Sequence, residues 1–276
     1  MFRPFGAIKK IMSKTFEKFI IAPLREDFVL IKIENLHKSF GNKKIFEGLF
    51  LNIYDGETIT VIGRSGEGKS VLLKHIMGLM DPDDGRILID DDDITGAHYN
   101  QKMKIRKKIG MLFQMAALFD SMTVKENVAF ALREHTNYSD GEIDEIVRKK
   151  LELVNLIGAE NLMPSEISGG MKKRVSLARA LSMDPKIILY DEPTTGLDPI
   201  TADIINNLIV DLQKKLNVTS VVVTHDLTST FKVSNRIAML YNRKIYFVGS
   251  VDEVKNSKDA VIRQFVNGEA EGPLTG

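Results

Sequence analysis

Eight residues, GRSGEGKS from Gly63 to Ser70, constrain the fold of this chain more than any other stretch. They match the pattern G-x-x-x-x-G-K-[ST] and stand where it has mechanical meaning, after an apolar run, TITVI, that reads as a strand and before VLLKHIMGL, that reads as a helix. Glycine at 63, 66 and 68 frees the backbone to bend, so that successive N–H groups point inward on phosphate oxygens. Lys69 is then placed to reach the β and γ phosphates, and Ser70 to offer its hydroxyl to Mg²⁺. The candidate phosphate loop is Gly63, Arg64, Ser65, Gly66, Glu67, Gly68, Lys69 and Ser70, with Val71 opening the helix.

Other stretches supply the partners such a loop needs. IILYDEP ends a buried strand in two adjacent carboxylates, which is costly unless a metal or a proton accounts for them. Asp191 is the expected Mg²⁺ partner opposite Ser70. Glu192, pointing the other way by strand alternation, is the expected general base. His225 in VVVTHD ends a second apolar strand, so strand order can bring it beside Glu192, to act on the γ-phosphate and the attacking water. Lys69, Glu192 and His225 form the candidate catalytic set. Gln114 in MLFQMAALF sits where the core passes into a helical stretch and can touch Mg²⁺. In ISGGMKKRVSLARAL, Ser168 falls near a helix N-cap and Gly169 and Gly170 leave the first turn uncrowded, which suits either an anion site or an ordinary cap. The acidic run DPDDGRILIDDDDI misses calcium-loop spacing and reads as solvated turns.

With 276 residues, 43% of them hydrophobic, the chain can fill a sizeable core. Formal charge is +1, and the clusters Lys102 to Lys108 and Lys172 to Arg174 read as solvated faces, which disfavours nucleic acid. There is no cysteine, excluding disulfides and thiolate chemistry. No apolar run approaches the roughly 18 residues of a membrane span. Residues 1–27 interleave phenylalanines with lysines and read as a basic amphipathic extension. From Phe28 short apolar runs bounded by turns predict a parallel sheet covered on both faces, with a mostly helical insertion over about 114–168. NRIAMLYNRKIYFVGS reads as a closing hairpin turned at Asn242. The expected division is a domain over 28–252 and a tail over 253–276.

In that order, the phosphate loop, Gln114, ISGGM, YDEPTTGLDP and VVVTHD resemble the ATPase subunits of ABC transporters from about Phe28 to Val251. The resemblance implies an α/β fold: a P-loop NTPase (RecA-like) core with an antiparallel β subdomain and an inserted helical subdomain, binding ATP and Mg²⁺. It implies that Phe40 in HKSFGNKKIF stacks on adenine, where many relatives carry tyrosine, and that Asp198 in GLDP communicates between two subunits. It implies further that Ser168, Gly169 and Gly170 bind the γ-phosphate of ATP held by a second copy, two chains sandwiching two nucleotides. An integral-membrane permease and a peripheral place on the cytoplasmic face of the inner membrane complete that expectation. Met171 stands where most of the family has glutamine. With KKRVSLARA and the ending IRQFVNGEAEGP it is similar to the Mla-type branch, phospholipid transporters that work with Mce-domain proteins. Amino-acid or lipoprotein cargo is the alternative. Chromosome-maintenance relatives separate loop and SGG by a long coiled coil and translation factors carry two cassettes, whereas this chain has one cassette and a short interval.

Overall fold

Two sheets of opposite character meet over one core, described over residues 28–275 in a computed structural model. The segment expected to form the amphipathic extension, 1–27, lies outside the described residues. Strands β1 (Val29–Phe40) and β2 (Lys43–Tyr54) are antiparallel and turn through Gly41 at φ 57°. Strand β3 (Thr58–Ile62) is buried along its whole length and feeds the phosphate loop, after which α1 (Lys69–Ile76) begins. The helical pattern read through VLLKHIMGL stops earlier, because Gly78 takes a left-handed turn at φ 61°. Strands β4 (Asp84–Ile89) and β5 (Asp92–Asp93) form a hairpin across Asp90 and Asp91, both at positive φ, completing a four-stranded sheet in the order β2-β1-β4-β5. The acidic run, expected as solvated turns, is largely this hairpin, with only Asp90 and Asp91 at its turn, and Asp90 is paired with Lys108 and Lys186.

Helix α2 (Tyr99–Arg106), which the periodicity did not announce, precedes β6 (Ile109–Leu112). The helical part is made of α3 (Val124–His135), α4 (Asp140–Leu153) and α5 (Gly169–Ala180). The first two start at capping boxes, Thr123 with Glu126 and Ser139 with Glu142, in which each side chain satisfies a backbone N–H of the first turn. Then come β7 (Ile187–Asp191), α6 (Pro199–Leu216), β8 (Thr219–Val223), α7 (Leu227–Val233), β9 (Arg236–Tyr241) and β10 (Lys244–Ser250). The six-stranded sheet runs β10-β9-β3-β8-β7-β6, parallel except for the β9–β10 hairpin, whose turn is Asn242 and Arg243 at φ 47° and 67°. One apolar cluster lies between the sheets and around α1, another between the parallel sheet and α3 to α6.

The stretch expected as a tail is folded. Helices α8 (Val251–Lys255) and α9 (Ala260–Asn267) bury Val254, Val261 and Ile262 against Ile62, Ile237 and Met239, and Leu274, beyond α9, joins the same cluster. The expected boundary at 252 therefore falls inside α8.

Candidate functional site

Chain geometry gathers the site at the carboxyl edge of the parallel strands. Two glycines of the loop are sterically required: a Cβ on Gly68, at φ 108°, would lie 2.5 Å from Ile45, and one on Gly63 would lie 2.6 Å from the Leu240 carbonyl oxygen. Lys69 curls back over the loop and donates to the carbonyls of Gly63 at 2.8 Å and Arg64 at 3.1 Å, its pKa pulled down by burial. Arg64 and Glu67 turn their side chains to holding the loop: Arg64 donates to the Leu274 carbonyl, and Glu67 accepts from the Arg64 N–H at 3.2 Å.

Opposite the loop, Ser70 donates its hydroxyl to Asp191 at 2.8 Å, as the two motifs predicted. Burial pushes the Asp191 carboxyl up, and the Ser70 hydrogen bond opposes that. Glu192, the next residue, leaves the strand through a left-handed backbone at φ 49°, so its direction is set by that turn and not by continued pleating as expected. For a non-glycine residue this conformation costs roughly 1–2 kcal/mol and persists only where surroundings over-determine it. Here they do. The Glu192 N–H donates to Val223 at 2.9 Å, and its carboxylate accepts from Thr224 at 3.0 Å and Thr195 at 3.2 Å and lies 3.0 Å from His225 Nδ1. Neighbouring parallel strands β7 and β8 bring Glu192 and His225 together, as strand order suggested.

These groups border one cleft of about 590 Å³, lined by Phe40, Lys43, Ile45, Ser65, Gly66, Gly68, Lys69, Ser70, Val71, Gln114, Glu192 and His225. Phe40, 46% exposed at the end of β1, gives it an aromatic wall. Eight predicted residues are not part of that lining: Gly63, Arg64, Glu67 and Asp191 adjoin it through the loop and Ser70, whereas Ser168, Gly169, Gly170 and Asp198 belong to other elements. Ser168 caps α5, accepting from the Met171 N–H at 3.3 Å, while Gly169 and Gly170 pack toward the start of α6. Asp198 caps α6 with two bonds of 3.0 Å, and its hydrogen bonds to Thr201 hold its pKa down.

The cluster Lys172 to Arg174 is not wholly solvated. Lys173 is 5% exposed and donates to the backbone carbonyls of Gln114 at 2.6 Å and Glu192 at 3.3 Å. Arg179, from the same helix, donates to the carbonyls of Ala117 and Ala116 at 2.7 and 2.9 Å. The signal for Lys173 was present: it shares the helical stripe of Gly170 and Leu177, both buried. Thr195 and Thr224 were missed as well, since nothing in local pattern tells where a short hydroxyl points.

A glycine loop opening a helix after a buried parallel strand, with a serine–aspartate pair at its end and a glutamate–histidine pair beside it, defines a P-loop nucleoside triphosphatase. Residues 46–195 match the family described as ABC transporter, and the chain belongs to that family, in which it is an ATPase cassette. It is 44% identical over 246 residues to the probable ribonucleotide transport ATP-binding protein mkl of Mycobacterium leprae, covering 89% of this chain and 71% of that one. It is 41% identical to the intermembrane phospholipid transport system ATP-binding protein MlaF of Haemophilus influenzae, over 89% and 93% of the two chains. Against MlaF of Escherichia coli K12 it is 40% identical over 89% and 91%. Among solved structures, the dimeric post-hydrolysis state of the ATP-binding cassette MJ0796 bound to ADP and Pi superposes with a TM-score of 0.74 at 32% identity, covering 80% of this chain and 98% of that one. Among the described residues, no helix is long and apolar enough to cross a membrane.

Proposed function

We propose that this chain is the ATP-hydrolysing subunit of a bacterial transporter that moves phospholipids between membranes. Two copies work beneath an integral-membrane permease, with an Mce-domain protein, on the cytoplasmic face of the inner membrane. The observation that carries the hydrolytic reading is the pairing of Ser70 with Asp191 and of Glu192 with His225 on one sheet edge. Likeness to the two MlaF proteins over nearly their whole length supports the cargo. Likeness to mkl supports nucleotide cargo as the second reading.

In this reading the loop N–H groups and Lys69 hold the phosphates, Phe40 stacks on the base, and Val71 closes the cleft beside it. The Ser70 hydroxyl, the Asp191 carboxylate and Gln114 are hard oxygen donors suited to Mg²⁺. Bound there, Mg²⁺ supplies charge neutralisation at the phosphates. Glu192 accepts the proton of the attacking water, and Thr195, Thr224 and His225 fix its carboxylate. His225 keeps Nε2 for the terminal phosphate. Ser168, Gly169 and Gly170 take the γ-phosphate of the other copy's ATP, while Asp198 carries contact between copies. Phe113, Met115 (87% exposed) and Phe119 offer the permease an adaptable apolar surface. Purifying the chain from membranes with its partners and analysing the lipids retained tests the cargo. Phospholipid in the complex is expected, and recovery of a DNA-repair or ribosomal partner instead overturns the reading.

A further inference from the structure

Helix α5 reaches the hydrolytic edge through a single buried cation. Burying an ammonium group is costly unless its hydrogen bonds are replaced, and the two acceptors of Lys173 are backbone carbonyls, not a carboxylate. Those carbonyls belong to Gln114 and Glu192, the two residues that bring the metal side and the water side of the cleft together. The attachment is also mechanically placed. Glu192 is held in its left-handed conformation from both ends of the residue, by Val223 at its N–H and Lys173 at its carbonyl. The loop after Gln114 has two further left-handed residues, Ala116 and Ala117, whose carbonyls are taken by Arg179 of the same helix. One helix therefore carries the Ser168 mouth at its start and grips both catalytic loops along its length.

We propose that Lys173 is a positioning residue for hydrolysis, whose ammonium locks the carbonyls of Gln114 and Glu192 to α5 so that the mouth and the two loops keep one register. The proposal rests on the roles assigned to Glu192 and Gln114 in the hydrolytic reading. The test compares wild type, Lys173→Met, Lys173→Arg and Glu192→Gln as full chains, reading kcat, KM and equilibrium ATP affinity. Because misplacing a reacting group by about 1 Å can cost on the order of 10²-fold, Lys173→Met should lower kcat about 10–100-fold while ATP affinity stays within about threefold. Lys173→Arg, whose fork keeps two donors, should recover kcat to within about fivefold of wild type. A folded Lys173→Met chain with normal kcat overturns the proposal, as does a loss of affinity equal to the loss of rate. If the methionine variant does not fold, Lys173→Leu, which likewise removes the donor, takes its place under the same criteria. Glu192→Gln separates the two layers: hydrolysis there at wild-type rate removes the assignment of the base, whereas an inactive Glu192→Gln beside a normal Lys173→Met removes only the positioning role.

Discussion

The loop before α1 and the mouth before α5 are both glycine-rich approaches to a helix N-terminus, yet they are finished differently. At α1 the N-cap is Gly68 with no side-chain cap, and Lys69, Ser70, Glu192 and His225 of the same chain line the cleft it opens on, with Asp191 bonded to Ser70. At α5 the N-cap is Ser168, its hydroxyl answers only the first turn of its own helix, and neither it nor Gly169 and Gly170 line the cleft. The α1 terminus opens on a cleft lined by residues from several elements, whereas the α5 terminus is closed by its own serine cap. In the proposed sharing of nucleotide between copies, the α1 loop of one chain would supply the rest of the site at the α5 mouth of the other.

The contrast can be broken most directly at Glu192. Glu192→Gln keeps size and polarity but removes the proton acceptor, so steady-state hydrolysis should fall about 10²–10⁴-fold while ATP binding survives. Hydrolysis at the wild-type rate would end its role as base. On that background light scattering of isolated chains should give a dimer with ATP–Mg²⁺ and a monomer with ADP, and adding Ser168→Arg should abolish the dimer without abolishing binding. A dimer indifferent to Ser168→Arg would make the mouth an ordinary cap. Phe40→Ala should weaken ATP binding by roughly 1–3 kcal/mol and Phe40→Tyr change it little, as titration with a fluorescent nucleotide would report. The smallest effect sharpens the mouth itself. A Cβ on Gly170 would lie 2.4 Å from Thr201 Cγ2, whereas one on Gly169 meets only Leu197 at 3.8 Å. Gly170→Ala should therefore lower stability by about 1–3 kcal/mol in denaturant titration, and Gly169→Ala should leave it nearly unchanged.

Much of the molecule is legible from pattern because the decisive groups sit where strands end. TITVI, IILYD and SVVV are continuous apolar runs, and parallel neighbours necessarily deliver the residues just past their ends, Gly63, Glu192 and His225, to one edge. Helix α2 escapes because its only buried residue is Ile105, which leaves no apolar stripe to count. The folded end of the chain escapes because α8 and α9 are short and their apolar partners, Ile62, Ile237 and Met239, are distant in sequence. Lys173 is misread when a run of charges is treated as one surface, although only its neighbours can face water once Gly170 and Leu177 point inward. Strand order puts Glu192 beside His225, but alternation does not give the direction of Glu192, since alternation ends with the strand and a left-handed turn takes over.

The bond from Arg64 to the Leu274 carbonyl joins residues 210 positions apart. Leu274 is fixed in turn by Gln264, which accepts from its N–H at 2.6 Å, and Pro273 by the Tyr241 hydroxyl at 3.2 Å. Such a contact closes late, since a long loop must be brought together before it forms. During synthesis the strand, loop and helix of GRSGEGKS emerge well before this anchor, which lies 210 residues further on. A chain cut before Leu274 keeps every letter of the phosphate motif and lacks the carbonyl that holds the Arg64 side chain.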